Sequence, residues 1–187
     1  KTVDTGEKLR PFSRAVLTAA HLRVFSCLSE IDDTREDDQL ANVEDQDFSG
    51  AKIALICGGA VLTYRRDDKP NIPYPDQWDL AGGGREDAET PEQCAIRETN
   101  EEFGLAIEAS RIFWKRRYPH ALNPTEGAFF MVAEIAGAEI DAICFGNEGQ
   151  YWQMMDFQEF LHHPNAVAPL RDRLGHFLAQ WRDLKDE

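Results

Sequence analysis

Between Gly82 and Leu105 the chain reads GGGREDAETPEQCAIRETNEEFGL, and this stretch constrains the fold more than any other. The triple glycine Gly82-Gly83-Gly84 permits backbone conformations closed to other residues and lets a carbonyl approach a ligand closely, so it is read as a turn. Thr90 can cap the helix that follows. Pro91 falls at the first helical position, where its missing N–H costs nothing, and Gln93 completes a capping box. Gly104 then stops the helix as a left-handed cap. A helix from Pro91 to about Phe103 is therefore predicted.

That helix carries chemistry. Glu98, Glu101 and Glu102 are spaced i, i+3, i+4, which places the three carboxylates on one face, roughly 5–6 Å apart at Cβ. Ala95, Ile96, Thr99 and Phe103 fall on another face and are expected to pack on the core. Crowded carboxylates repel, and a hard divalent ion bound through oxygen ligands and waters would relieve the repulsion. Taken alone, an ExxEE run is more often a solvated acidic face. The residues around it decide against that here.

Gly83, Glu89, Arg97-Glu98, Glu101-Glu102 and Gly104-Leu105 fall at the fixed positions of the Nudix hydrolase signature, and the stretch resembles that family at each of them. One slot differs: the residue after Arg97-Glu98 is usually aliphatic and here is Thr99, which can bury its methyl and return its hydroxyl to the Ala95 carbonyl. The resemblance implies an α/β/α sandwich with a mixed central sheet. It also implies hydrolysis of a nucleoside diphosphate linked to another moiety, with Mg²⁺ or Mn²⁺ as cofactor. Carried over by position, Glu98, Glu101 and Glu102 would be metal ligands, joined by the backbone carbonyl of Gly82. Arg97 would pair with Glu89 or a helix glutamate and hold the loop and helix together. In the MutT-type branch a later loop supplies a further glutamate, and Glu148 in Phe145-Gly-Asn-Glu-Gly-Gln150 is the counterpart, as metal ligand or general base. By the same likeness Asn165 and Arg66 would face the nucleotide. As alternatives, Asn165 only caps the last helix and Arg66 is a surface charge. The leading activity is cleavage of a nucleoside triphosphate, such as the oxidised purine 8-oxo-dGTP, to monophosphate and pyrophosphate. The alternatives are a pyrophosphatase of ADP-ribose or another nucleotide conjugate, and a nucleotide-binding module without catalysis.

Apart from the resemblance, pattern supports an α/β or α+β fold. Lys52–Cys57 and Ala60–Tyr64 are short apolar runs around Gly58-Gly59, a hairpin signal. Asp67–Gln77 is a proline-rich loop. Further strands are read at Arg111–Tyr118, Ala128–Ile135 and Gln150–Met155, then a short helix Phe157–Leu161 capped by Asp156, and a last helix from about Val167 to Leu184. His120 lies in a loop without a partner pattern. Residues 50–187 form the expected catalytic domain. Residues 1–49 form an extension: a helix within Arg14–Leu28 and an acidic linker, expected to pack on the domain or on a second subunit of a homodimer.

The formal net charge of −14 argues against a surface for long nucleic acid, leaving a small phosphorylated molecule as substrate. No apolar run approaches the roughly 20 residues of a membrane span, and no secretory signal is read at the N-terminus. Four scattered cysteines without metal spacing suit a reducing cytoplasm.

Overall fold

The structure, a computed structural model, describes residues 47–183, without the side chains of residues 182 and 183. The helix expected within Arg14–Leu28 and the acidic linker up to residue 46 lie outside the described residues. Strand β1 (Phe48–Cys57) turns at Gly58-Gly59 into β2 (Ala60–Arg65), as the hairpin signal predicts. β3 (Trp78–Asp79) and β4 (Ala81–Gly84) follow the proline-rich loop and lead to α1 (Pro91–Phe103). Then come β5 (Ile112–Pro119), β6 (Gly127–Glu134), α2 (Gly137–Asp141), β7 (Tyr151–Asp156), α3 (Phe157–His162) and α4 (Ala168–Asp183).

The strands form one mixed seven-stranded sheet. β1 and β6 run parallel at its centre, from Phe48 beside Gly127 to Ile56 beside Glu134. The other pairings are antiparallel: β5 on β6, β4 and β2 on the far edge of β1, and β3 and β7 on β2. The two central strands are apolar along nearly their whole length because both their faces are covered. Ile53 and Leu55 of β1, with Phe129 and Met131 of β6, pack against Cys94, Ala95 and Phe103 of α1. The alternate residues Ala54, Ile56, Phe130 and Val132 pack against Phe160 of α3 and Leu170, Leu174 and Phe177 of α4. The sheet is thus sandwiched, with α1 on one face and α3 and α4 on the other. Each fully buried large apolar side chain in these layers contributes about 1.5–3 kcal/mol of transfer free energy.

α1 forms as its sequence dictates. Thr90 accepts from the Gln93 amide at 3.2 Å, the Gln93 side chain accepts from the Thr90 amide at 2.9 Å, and Gly104 ends the helix at φ 67°. Thr99 is fully buried, and its hydroxyl donates to the Ala95 carbonyl at 2.7 Å.

The triple glycine departs from expectation. It is the strand β4, paired with Gly50–Lys52 of β1, and not a turn. Glycine is required there for proximity and for backbone shape. Gly82 sits at φ 120°, and a Cβ on it would collide with the Ala51 carbonyl. Two further elements, β3 and the short α2, carry too few residues for periodicity to reveal them. Among the described residues no helix is long and apolar enough to cross a membrane.

Candidate active site

A cavity of about 370 Å³ opens at the edge of the sandwich, lined from both faces of the sheet. From α1 come Glu98 and Glu102, beside Gly82, Gly83 and Gly84 of β4. From the sheet come Lys52, Tyr64 and Asp79, with Arg66 directly after β2. The segment entering α4 supplies Val167, and α4 itself supplies Leu170 and Arg173.

Glu102 is the most enclosed carboxylate of the helix, 4% exposed, and its Oε2 accepts the Gly82 amide at 3.0 Å. Burial pushes its pKa up to about 7, outweighing the Lys52 cation and the Gly82 N–H, which both favour the charged form. Glu98 is half-buried and shifted upward by the same cause. A side chain on Gly83 would stand 2.5 Å from the Glu98 carboxyl carbon, so the glycine there leaves room for that carboxylate.

Arg97 fastens the helix to the loop before it. Its Nε donates to Glu89 Oε1 at 2.7 Å and one Nη to the Gly84 carbonyl at 2.9 Å. The other Nη bridges Glu98 Oε1 and Glu101 Oε2, each at 3.0 Å. Both expected classes of partner, Glu89 and a helix glutamate, are therefore engaged. Glu101 lies toward solvent, since the helix carries it about 60° away from Glu98 on the side remote from Glu102. It is absent from the cavity wall.

Glu148 reaches the cavity from the loop before β7. That loop is tied down at both ends: the Gly146 amide donates to the Glu102 carbonyl at 2.8 Å and the Gln150 amide to the Arg65 carbonyl at 2.7 Å. Arg66 also lines the cavity and is an ion-paired, half-buried residue, not a free surface charge. Asn165 is placed elsewhere. It is exposed and does not line the cavity; its carbonyl accepts the Trp78 amide at 2.8 Å and its amide donates to His163 Nδ1 at 3.1 Å. His120, which showed no partner pattern, does line the cavity.

Sequence reading missed a charged cluster in the wall of the site. Asp79 is 2% exposed and receives Arg66 Nη1 at 2.6 Å, Lys52 Nζ at 3.1 Å and its neighbour Leu80 N–H at 2.7 Å. Tyr64 Oη stands 3.4 Å from the same carboxylate. The available signal was a lone lysine beginning an apolar strand and a lone aspartate between Trp78 and Leu80. Each looks incidental until the register joins them.

Among the described residues no three His, Cys, Asp or Glu side chains form a ready-made cation cage. The donors nevertheless fit a hard divalent ion. Such an ion needs only one or two carboxylates when waters and phosphate oxygens complete its shell. Glu98 and Glu102 line one cavity beside the Gly82–Gly84 strand, and burial raises the proton affinity of both.

The NUDIX domain matches this sequence over residues 49–183. The chain belongs to that family. Hydrolases of the family generally use divalent metal ions and act on small phosphorylated molecules. Diphosphoinositol polyphosphate phosphohydrolase 2 of Homo sapiens is 30% identical over 116 residues, which is 59% of this chain and 62% of the human protein. The mouse protein gives the same identity and 63% coverage, so this Nudix chain spans about three-fifths of the length of these curated relatives. A Caenorhabditis elegans Ap4A hydrolase superimposes with TM-score 0.56 and 18% identity, covering 72% of this chain and 98% of that one. The MutT protein of Methanosarcina mazei Go1 gives 0.55 and 17%, covering 73% and 96%. At those identities the two structures establish a shared Nudix fold.

Proposed function

We propose that this Nudix domain is a metal-dependent pyrophosphohydrolase that cleaves a phosphoanhydride bond in a nucleoside diphosphate joined to another group. The observation that carries the reading is the meeting of Glu98, Glu102 and Glu148 in one cavity with Lys52 and Arg66. In this reading Glu98, Glu101, Glu102, Glu148 and the Gly82 carbonyl would hold Mg²⁺ or Mn²⁺. When bound, such an ion would supply charge neutralisation at the phosphate oxygens and a site to orient a water. Glu148 stands on an exposed loop at the cavity, where a carboxylate can take the proton of that water. Arg97 positions the glutamates, and Arg66 faces the phosphates while held by Asp79.

The similarity to a diphosphoinositol polyphosphate phosphohydrolase supports phosphoanhydride chemistry. A net charge of −14 suits a small substrate better than long nucleic acid. The free cysteines Cys57, Cys94 and Cys144 suit a reducing cytoplasm. Two substrate classes follow: a nucleoside triphosphate such as 8-oxo-dGTP, and a conjugate such as ADP-ribose. Asn165 is not among the residues lining this cavity, and since both classes carry a purine its position does not rank them.

The test is a Mg²⁺-dependent hydrolysis panel of dGTP, 8-oxo-dGTP, the other triphosphates, ADP-ribose and a dinucleoside polyphosphate, with Glu102→Gln as control. Activity is expected on at least one member, falling by about two orders of magnitude or more in the variant. Full activity of Glu102→Gln with Mg²⁺ would refute the metal assignment.

A further inference from the structure

Arg173 sits in α4 and is 7% exposed. A guanidinium is costly to bury unless an anion or a full set of acceptors meets it. The fold supplies a carbonyl and a ring. One Nη donates to the Pro119 carbonyl at 3.0 Å, and the group lies over the Tyr118 ring, 5.0 Å from its centroid. Tyr118 is in turn stacked on His176 and approached by Arg116, and neither contact brings a carboxylate. Among the described residues no carboxylate pairs with Arg173. Asp79, on the same cavity, is already engaged by Lys52 and Arg66.

A guanidinium carries five N–H donors, and one bond to Pro119 leaves most of them unassigned. No enclosed side-chain nitrogen or oxygen among the described residues lacks a hydrogen-bond partner, so the spare Arg173 donors are open to solvent, and Arg173 is among the residues that line the cavity. The same cavity is lined by Val167, Pro169 and Leu170, apolar surface that lowers the local dielectric and strengthens a charged contact. Because α1 and α4 cover opposite faces of the sheet, Glu98 and Glu102 enter from one side and Arg173 from the other. The cavity is negative at one wall and holds a cation without a counter-ion at another.

We propose that Arg173 is a specificity-determining residue that receives a second phosphate of the substrate, one lying outside the diphosphate that is cleaved. The assignment rests on the reading of the Glu98–Glu102 wall as the cleavage end. It makes this chain selective for nucleoside-diphosphate compounds that carry an additional phosphate, on the nucleoside ribose or further along the phosphate chain. A guanidinium suits that task because its planar fork matches phosphate oxygens two at a time.

The test uses matched pairs: NADPH with NADH, coenzyme A with its 3′-dephospho form, and diadenosine tetraphosphate with diadenosine diphosphate. The first two pairs place the added phosphate on the ribose, the third along the chain. Binding is measured by calorimetry with Mg²⁺ in the Glu102→Gln background, which needs no turnover. The phosphorylated or longer member of at least one pair is expected to bind at least about tenfold tighter, as one charge-assisted bond allows. Adding Arg173→Gln should erase that preference while the unphosphorylated member stays within about twofold. Arg173→Lys should keep part of it. An equal loss for both members, or no preference in any pair, overturns the assignment. If Arg173→Gln fails to fold, the full chain labelled with ¹⁵N-arginine decides. The Arg173 Nε resonance, identified by its absence from Arg173→Lys, should move with the phosphorylated member and stay in place with its partner; equal response to both overturns it. Loss of hydrolysis across the wild-type panel with this preference intact would refute the proposed activity alone. Hydrolysis without an Arg173-dependent preference would refute this inference alone.

Discussion

Replacing Asp79 by alanine removes the anion at the centre of the Lys52–Asp79–Arg66 cluster. Breaking a buried pair from one side costs about 3–5 kcal/mol where the remaining charge is left without partners. Here the cations are 19% and 18% exposed and keep other acceptors: Lys52 retains the Leu80 carbonyl at 2.9 Å, and Arg66 the Pro73 carbonyl at 2.9 Å. The Leu80 amide loses its 2.7 Å acceptor, a loss of about 1–3 kcal/mol if nothing replaces it. Residual solvation and the lost amide bond pull in opposite directions, and about 3 kcal/mol is expected. For a chain of this size that lowers Tm by about 6–12 °C. Asp79→Asn keeps the shape and one acceptor oxygen but not the charge, and should cost about half as much. Urea unfolding followed by tryptophan fluorescence reads both variants. A loss under about 1 kcal/mol for Asp79→Ala would show that water screens the cluster, and equal losses for both variants would show that charge is not what matters there.

Adjacent glycines should separate stability from activity. Gly82→Ala meets the Ala51 backbone at a φ of 120° and should destabilise by about 2 kcal/mol or more, read by the same unfolding curve. Gly83→Ala meets the Glu98 carboxylate first, the end of a side chain and not backbone, so Tm should change little while Mg²⁺-dependent hydrolysis falls at least about tenfold; unchanged turnover would refute the role of that glycine. Thr99→Val removes a buried hydroxyl from a carbonyl that the helix already serves, and stability should stay within about 1 kcal/mol or rise. The pair Arg111–Glu139, bonded at 2.6 and 2.8 Å, holds the Glu139 pKa down to about 2. Folding therefore gains from this carboxylate above about pH 4.5, and the gain fades as pH falls toward 2. Glu139→Gln should show a flatter loss of urea midpoint across that window, and parallel curves would contradict the assignment.

How much was legible depended on whether the information was local. α1 could be read residue by residue because its start, stop and inner face are set within one stretch: Thr90, Pro91, Gln93 and Gly104 act on their near neighbours. The β1–β2 hairpin was legible for the same reason. The triple glycine misled because its purpose is set by distant residues: Ala51 crowds Gly82 and Glu98 crowds Gly83, and neither contact is visible as composition. Lys52, Asp79 and Arg66 are likewise joined only through strand register, and Arg173 meets Pro119 only once α4 lies on the sheet. Periodicity placed Glu98, Glu101 and Glu102 on one helical face, but only packing against β4 separates enclosed Glu102 from exposed Glu101.

The two walls of the cavity come from segments far apart in the chain, α1 with β4 on one side and α4 on the other. α1 is framed by its own caps and held by Arg97 to its own approach loop, so changes in α4 leave the spacing of its carboxylates intact. In the proposed reading, a change at Arg173 alters which compounds are accepted without touching the carboxylate wall. In that reading one segment sets the range of accepted compounds and another holds the bond-breaking carboxylates, so the two properties can be changed separately.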